Sequence, residues 1–151
     1  MRDGINALLI TPEAGSTKSG SARTVPIHEH LIEQGFLKFV ADRAKGPLFY
    51  SPAGSAGSTG DPTNPKRPRA VKTRERLAGW VRCLGVTDTE IRPNHGWRHT
   101  FKQIADRHGI SERVSDEITG RRPATVARSY GRATLSDMAA GLKKFPRYEV
   151  R

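Results

Sequence analysis

Cysteine is almost absent. Cys83 stands alone among 151 residues, which excludes an internal disulfide framework and fits a reducing compartment. Acidic side chains are outnumbered, 15 Asp and Glu against 26 Lys and Arg, leaving a formal net charge of +11. Aromatic residues make up 7% and hydrophobic residues 35%, so the expectation is one domain with one modest core. No apolar run approaches the roughly 20 residues that a membrane span needs. No helical pattern joins a Lys/Arg-rich face to a bulky apolar one, so a membrane surface is not the expected partner. No signal-peptide pattern is visible, and a cytoplasmic location is the expectation. The positive surplus instead suits a polyanion, of which nucleic acid is the commonest soluble kind.

Periodicity gives a coarse plan. Residues 5–11 and 23–27 read as strands flanking the small-residue turn STKSGSA, a hairpin whose Pro26 restricts the second strand to an edge. A helix is expected from His28 to Arg43, with Leu31, Ile32, Phe36, Phe39 and Val40 on one face. The PLFY of residues 47–50 would add a short extended piece. Residues 51–70 turn to Gly, Ser and Pro and end in the basic PKRPRA, a flexible loop offering Lys66, Arg67 and Arg69 to DNA phosphates. A second helix spans Val71–Leu84, with Leu77, Trp80, Val81 and Leu84 inward and Cys83 as a small core residue. A third spans Asn94–His108, burying Trp97, Phe101, Ile104 and Ala105. A fourth runs from an N-cap at Ser111 to Gly120, and a short fifth follows Pro123 and ends near Gly131. Thr134 and Asp137 form a capping box for a sixth that stops before Pro146, with Met138, Leu142 and Phe145 as its apolar stripe. The fold class expected is α+β and mostly helical, with a small antiparallel sheet near the N-terminal end.

The densest polar chemistry is HGWRH, residues 95–99. His95 and His99 are four apart, as a zinc pair would be, but an HExxH motif needs Glu where Gly96 stands and no third ligand is marked. No metal is expected. His95 and Arg98 are three apart on the first turn of a helix, where free N–H groups, the positive end of the helix dipole and a guanidinium fork all favour an anion.

Other motifs accompany this one in order: Lys18 in KSGSARTVPI, Arg121 in ITGRR, and Tyr130 in ARSYGRA. With HGWRHTF they resemble the catalytic domain of the tyrosine recombinases, the phage-integrase family, across essentially the whole chain. The tail LSDMAAGLKKFPRYEV is similar to the ends of integrases carried by proteobacterial prophages and genomic islands, which would place the chain in a bacterial cytoplasm or nucleoid. The resemblance implies a helical-bundle catalytic domain with a small hairpin near its N-terminal end. It implies that Tyr130 attacks a DNA phosphate to leave a 3′-phosphotyrosyl bond, that Arg98 stabilises the phosphate oxygens, that His95 moves the tyrosine proton, and that Lys18 protonates the departing 5′-oxygen. Double-stranded DNA is then the partner, no cofactor is needed, and the C-terminal helix could mediate self-association on DNA or pack on its own domain.

Two departures qualify the match. The family's first catalytic Arg lies in a TG-R-EL helix ahead of the hairpin; residues 1–151 are expected to be a partial catalytic domain without that helix or the DNA-clamping domain, and Arg2 does not replace it. Arg121 stands where the family usually carries His or Trp; it can donate to a phosphate but cannot accept a proton at neutral pH. An isolated chain of this kind is expected to transfer strands poorly, the alternative being a catalytically inactive DNA-binding remnant. Taken singly, Tyr130 reads equally as a core-edge tyrosine, Lys18 as a solvated turn lysine, Arg98 as an ion-pair partner and Arg121 as a solvated turn residue; only their joint spacing points to chemistry.

Overall fold

The computed structural model describes residues 1–14, 20–43, 45–50, 69–121 and 131–148. Two strands, β1 (Ala7–Ile10) and β2 (Arg23–Pro26), and six helices follow in order: α1 (Glu29–Glu33), α2 (Phe36–Ala41), α3 (Arg69–Cys83), α4 (Pro93–Arg107), α5 (Glu112–Thr119) and α6 (Leu135–Leu142). The described residues are mixed α+β, about half of them helical, with a two-stranded antiparallel sheet. Among the described residues no helix is long and apolar enough to cross a membrane. The chain divides into two compact units, residues 1–36 with 98–151, and residues 37–97.

In the first unit, β1 pairs β2 with Ala7 opposite Pro26, Leu8 opposite Val25, Leu9 opposite Thr24 and Ile10 opposite Arg23. Alternation therefore puts Arg23 and Val25 on one face with Leu8 and Ile10. The core is small: Ala105, Ile110, Val114, Ala133 and Met138 are buried, and Phe101, Ile118, Leu135 and Phe145 pack around them. At Gly141 a Cβ would stand 2.8 Å from Val114 Cγ1, so α6 lies tight against α5. The stripe of Met138, Leu142 and Phe145 packs on its own unit; Met138 and Leu142 are buried and Phe145 stacks on Phe101 with ring centroids 5.0 Å apart. His28 Nε2 lies 3.2 Å from the Phe145 carbonyl and Arg147 pairs with Glu33, fastening the C-terminal residues to α1.

Local signals set the helix ends. Ser111 Oγ accepts from the Val114 N–H at 3.4 Å, and Gly120, at φ 69°, closes α5 in the left-handed conformation. Thr134 and Asp137 exchange side chain to backbone hydrogen bonds at 3.0 and 3.1 Å, the complete capping box of α6. The Thr134 backbone N–H, then the Thr134 side chain and Arg113, hold the Asp137 carboxyl below its ordinary range. A carboxylate depressed on folding stabilises the fold above the unfolded value of about 3.9 and loses that contribution as pH falls through the folded one. Urea midpoints measured from pH 5 to pH 2 should therefore fall less steeply in Asp137→Asn than in the parent chain.

The second unit holds most of α2, residues 45–50, α3 and the opening of α4. Phe39 and Phe49 stack at 6.0 Å, with the Arg43 guanidinium 4.6 Å from the Phe39 ring. Arg82 donates to the carbonyls of Val86, Asp88 and Ile91, tying down the loop that leads into α4, and Asn94 Nδ2 donates to the Arg74 carbonyl at 3.0 Å.

Several expectations are corrected. The helix expected over 28–43 is two helices, because the chain turns at Gln34 and Gly35, where Gly35 adopts φ 85°. Of the expected inward face of α3 only Val81 is buried, while Leu77, Trp80 and Leu84 are at least half exposed, and Cys83 is exposed rather than core. Periodicity marks an apolar face without saying what covers it. On α4, Ala105 is buried and Phe101 and Ile104 are half-buried, but Trp97 is 60% exposed. Residues 48–50 form bends and Pro47 belongs to no regular element, so the extended piece expected over 47–50 is absent. The helix expected after Pro123 lies outside the described residues, as does nearly all of the 51–70 segment.

Candidate functional site

All four ordered motifs have described residues within the first unit: β2 from KSGSARTVPI, Arg98 from HGWRHTF, the end of α5 from ITGR, and Gly131, Arg132 and Ala133 from ARSYGRA. Arg23, the first residue of β2, reaches the α5 turn. A Cβ at Gly120 would stand 2.5 Å from Arg23 Nη1, 2.6 Å from Cζ and 3.0 Å from Nε. Gly120 thus serves twice, by accepting φ 69° to end α5 and by leaving room for the guanidinium. The turn is closed by the Arg121 N–H, which donates to the Asp116 carbonyl at 3.0 Å, and by the Gly120 N–H to the Glu117 carbonyl at 3.3 Å.

The electrostatics of this corner are unbalanced. Burial lowers the pKa of Arg23, the positive charge of Arg98 lowers it further, and only Glu117 acts in the other direction. Glu117 is shared, because Arg132 donates to its two oxygens at 2.5 and 3.2 Å, and that hydrogen bonding raises the pKa of Arg132. Arg23 Nε is buried and has no hydrogen-bond partner among the described residues. A buried donor left unmade costs about 1–3 kcal/mol, and native folds rarely keep one without a use. Arg23, whose charge is opposed by that of Arg98 and whose Nε has no partner among the described residues, is the candidate anion-binding residue of this corner.

Arg98 is exposed on α4, and Arg121 is exposed immediately after Gly120. His95 precedes Arg98 by three residues in the same continuous helix; it is exposed and belongs to the second unit, as does Arg69, half-buried at the start of α3. Lys18, Tyr130, Lys66 and Arg67 lie outside the described residues. The residues after Tyr130 return to α5: Arg113 Nη1 donates to the Gly131 carbonyl at 3.0 Å, and Arg132 pairs with Glu117. Across α4 and α5, Lys102 pairs with Asp116. Among the described residues, no group of three His, Cys, Asp or Glu stands close enough to hold a metal ion.

Arg23 is the residue that motif reading missed. Its signal was available, since an arginine alternating with Val25 puts a charge on the same strand face as an apolar side chain. Gly120→Ala should cost about 1–2 kcal/mol for a left-handed non-glycine residue. Gly120→Asn should recover the conformational part of that loss, because Asn tolerates the left-handed region, but it still displaces the Arg23 guanidinium. Urea denaturation of the pair checks it.

No family model, no curated protein and no solved structure matches this chain.

Proposed function

We propose that the chain carries the catalytic region of a DNA strand-transfer enzyme of the tyrosine-recombinase kind. The observation that supports this reading is the approach of Arg23 to the Gly120 turn, two motifs far apart in sequence, with Arg98 of a third motif acting on the charge of Arg23. A two-stranded hairpin followed by helices is compatible with that catalytic fold, and the net charge of +11 suits a DNA partner.

In the proposed reaction a DNA phosphodiester sits against Arg98, whose fixed charge stabilises the negative charge gathering on the non-bridging oxygens. The Tyr130 oxygen attacks phosphorus while its proton passes to His95, whose imidazole nitrogen can accept it. The P–O bond to the 5′-oxygen breaks, and Lys18 supplies a proton to that leaving oxygen. The phosphotyrosyl ester conserves the bond energy for rejoining, so the chemistry requires neither ATP nor a metal.

The test is single-turnover capture on a nicked duplex. The short strand beyond the scissile phosphate diffuses away, so even slow attack accumulates as protein-linked DNA. Covalent product is expected with the parent chain and none with Tyr130→Phe. Product formed equally by Tyr130→Phe would refute the assignment. Duplex binding without product would instead mark a DNA-binding remnant that keeps the anion site but not the transfer chemistry.

A further inference from the structure

Arg23 has no part in the reaction just described, yet it is held in place at both its backbone and its head. It begins β2 opposite Ile10, its guanidinium lies along Gly120, and its buried Nε lacks a partner among the described residues. A surface arginine on a free rotamer would pair its N–H groups with water. This one is held by the strand ladder at its backbone and by the α5 turn at its head. Such fixing suits a recognition role, because the planar fork can grip two oxygens of one phosphate with little further ordering.

We propose that Arg23 is a second phosphate-binding residue, which contributes its guanidinium edge to a backbone phosphate of duplex DNA alongside Arg98. The proposal rests on the strand-transfer reading for the identity of the anion. The neighbouring charges fit it. Arg98 brings a second positive charge to the same corner, and Glu117, the carboxylate that acts on Arg23, is already bound by Arg132. Arg23 as a whole is only half-buried although its Nε is covered, so a phosphate arriving here meets the outer part of the guanidinium together with the charge of Arg98. Gly120 keeps that group in place, since any side chain at this position would occupy the space of the guanidinium.

The experiment measures duplex binding by the whole chain, using fluorescence anisotropy of a labelled duplex over a range of KCl. Each phosphate neutralised contributes roughly 0.9 to the slope of log affinity against log salt. Arg23→Gln is expected to lower the slope by about one such unit, and Arg23→Lys to retain the slope with weaker binding at fixed salt. A merely structural arginine would leave the slope unchanged in both, so a parental slope in Arg23→Gln overturns the proposal. A lowered slope in Arg98→Gln beside a parental one in Arg23→Gln would sink this inference while leaving the strand-transfer reading intact. Loss of Tyr130-dependent capture would sink the latter alone. If Arg23→Gln fails to fold by circular dichroism, Gly120→Asn decides: it displaces the guanidinium without removing a charge, and a lowered slope supports the proposal while a parental slope overturns it.

Discussion

Arg98→Gln is expected to slow Tyr130-dependent capture of nicked DNA by roughly 10²–10³-fold, the usual effect of removing one fixed donor from a charge-developing transition state. Arg98 sits inside the continuous helix α4, so its backbone is held independently of the DNA. Glutamine keeps a polar head but loses the charge and the fork, and with them the preference for the transition state over the ground state. The side chain is exposed, so thermal stability should change little. That separation makes the measurement informative: a large rate loss at constant melting temperature assigns Arg98 to the reaction. An equal loss of rate and fold would place Arg98 in the structure instead. Arg98→Lys should fall between the two, because a point charge remains without planar, two-pronged recognition.

Met138→Ala is expected to destabilise the chain by about 2–5 kcal/mol, the range for removing a large buried side chain. Met138 is 4% exposed and packs in the cluster of Ala105, Ile110, Val114 and Ala133. No large side chain among the described residues is completely buried, so this core has little to spare. Domain stabilities run to only about 5–15 kcal/mol, so the variant should unfold at a markedly lower urea concentration. The concentration dependence matters as much as the size. With α6 packed on its own unit, the loss should be the same at dilute and concentrated protein. A loss that vanishes on dilution would mean that α6 is stabilised by exchange between copies, the other arrangement that the stripe of Met138, Leu142 and Phe145 permits.

What could be read from the sequence was local. Ser111, Gly120, Thr134 and Asp137 act on backbone groups within a few residues of themselves, so the ends of α5 and the start of α6 were legible. The hairpin strands were legible for the same reason, in their β-branched residues and intervening turn. Coverage was not legible. Leu77, Trp80, Leu84 and Trp97 have the spacing of buried residues and are exposed, because periodicity defines a face and tertiary packing decides its neighbour. The turn at Gln34 and Gly35 was hidden by apolar residues that keep a helical rhythm on both sides of it. At the candidate site, Arg98 and Arg121 were marked by motif spacing. Arg23 could have been noticed as a charge on an apolar strand face, but its contact with Gly120, 97 positions away in the sequence, is encoded by no local pattern.

The central claim is that Arg23 and Arg98 form one anion site. The most direct measurement follows the arginine Nε–Hε signals of the whole chain by NMR during titration with a short duplex. The account predicts that the Arg23 and Arg98 signals, assigned with Arg23→Lys and Arg98→Lys, shift together and saturate along a single binding curve. Signals from other arginines moving while those of Arg23 and Arg98 stay in place would contradict it.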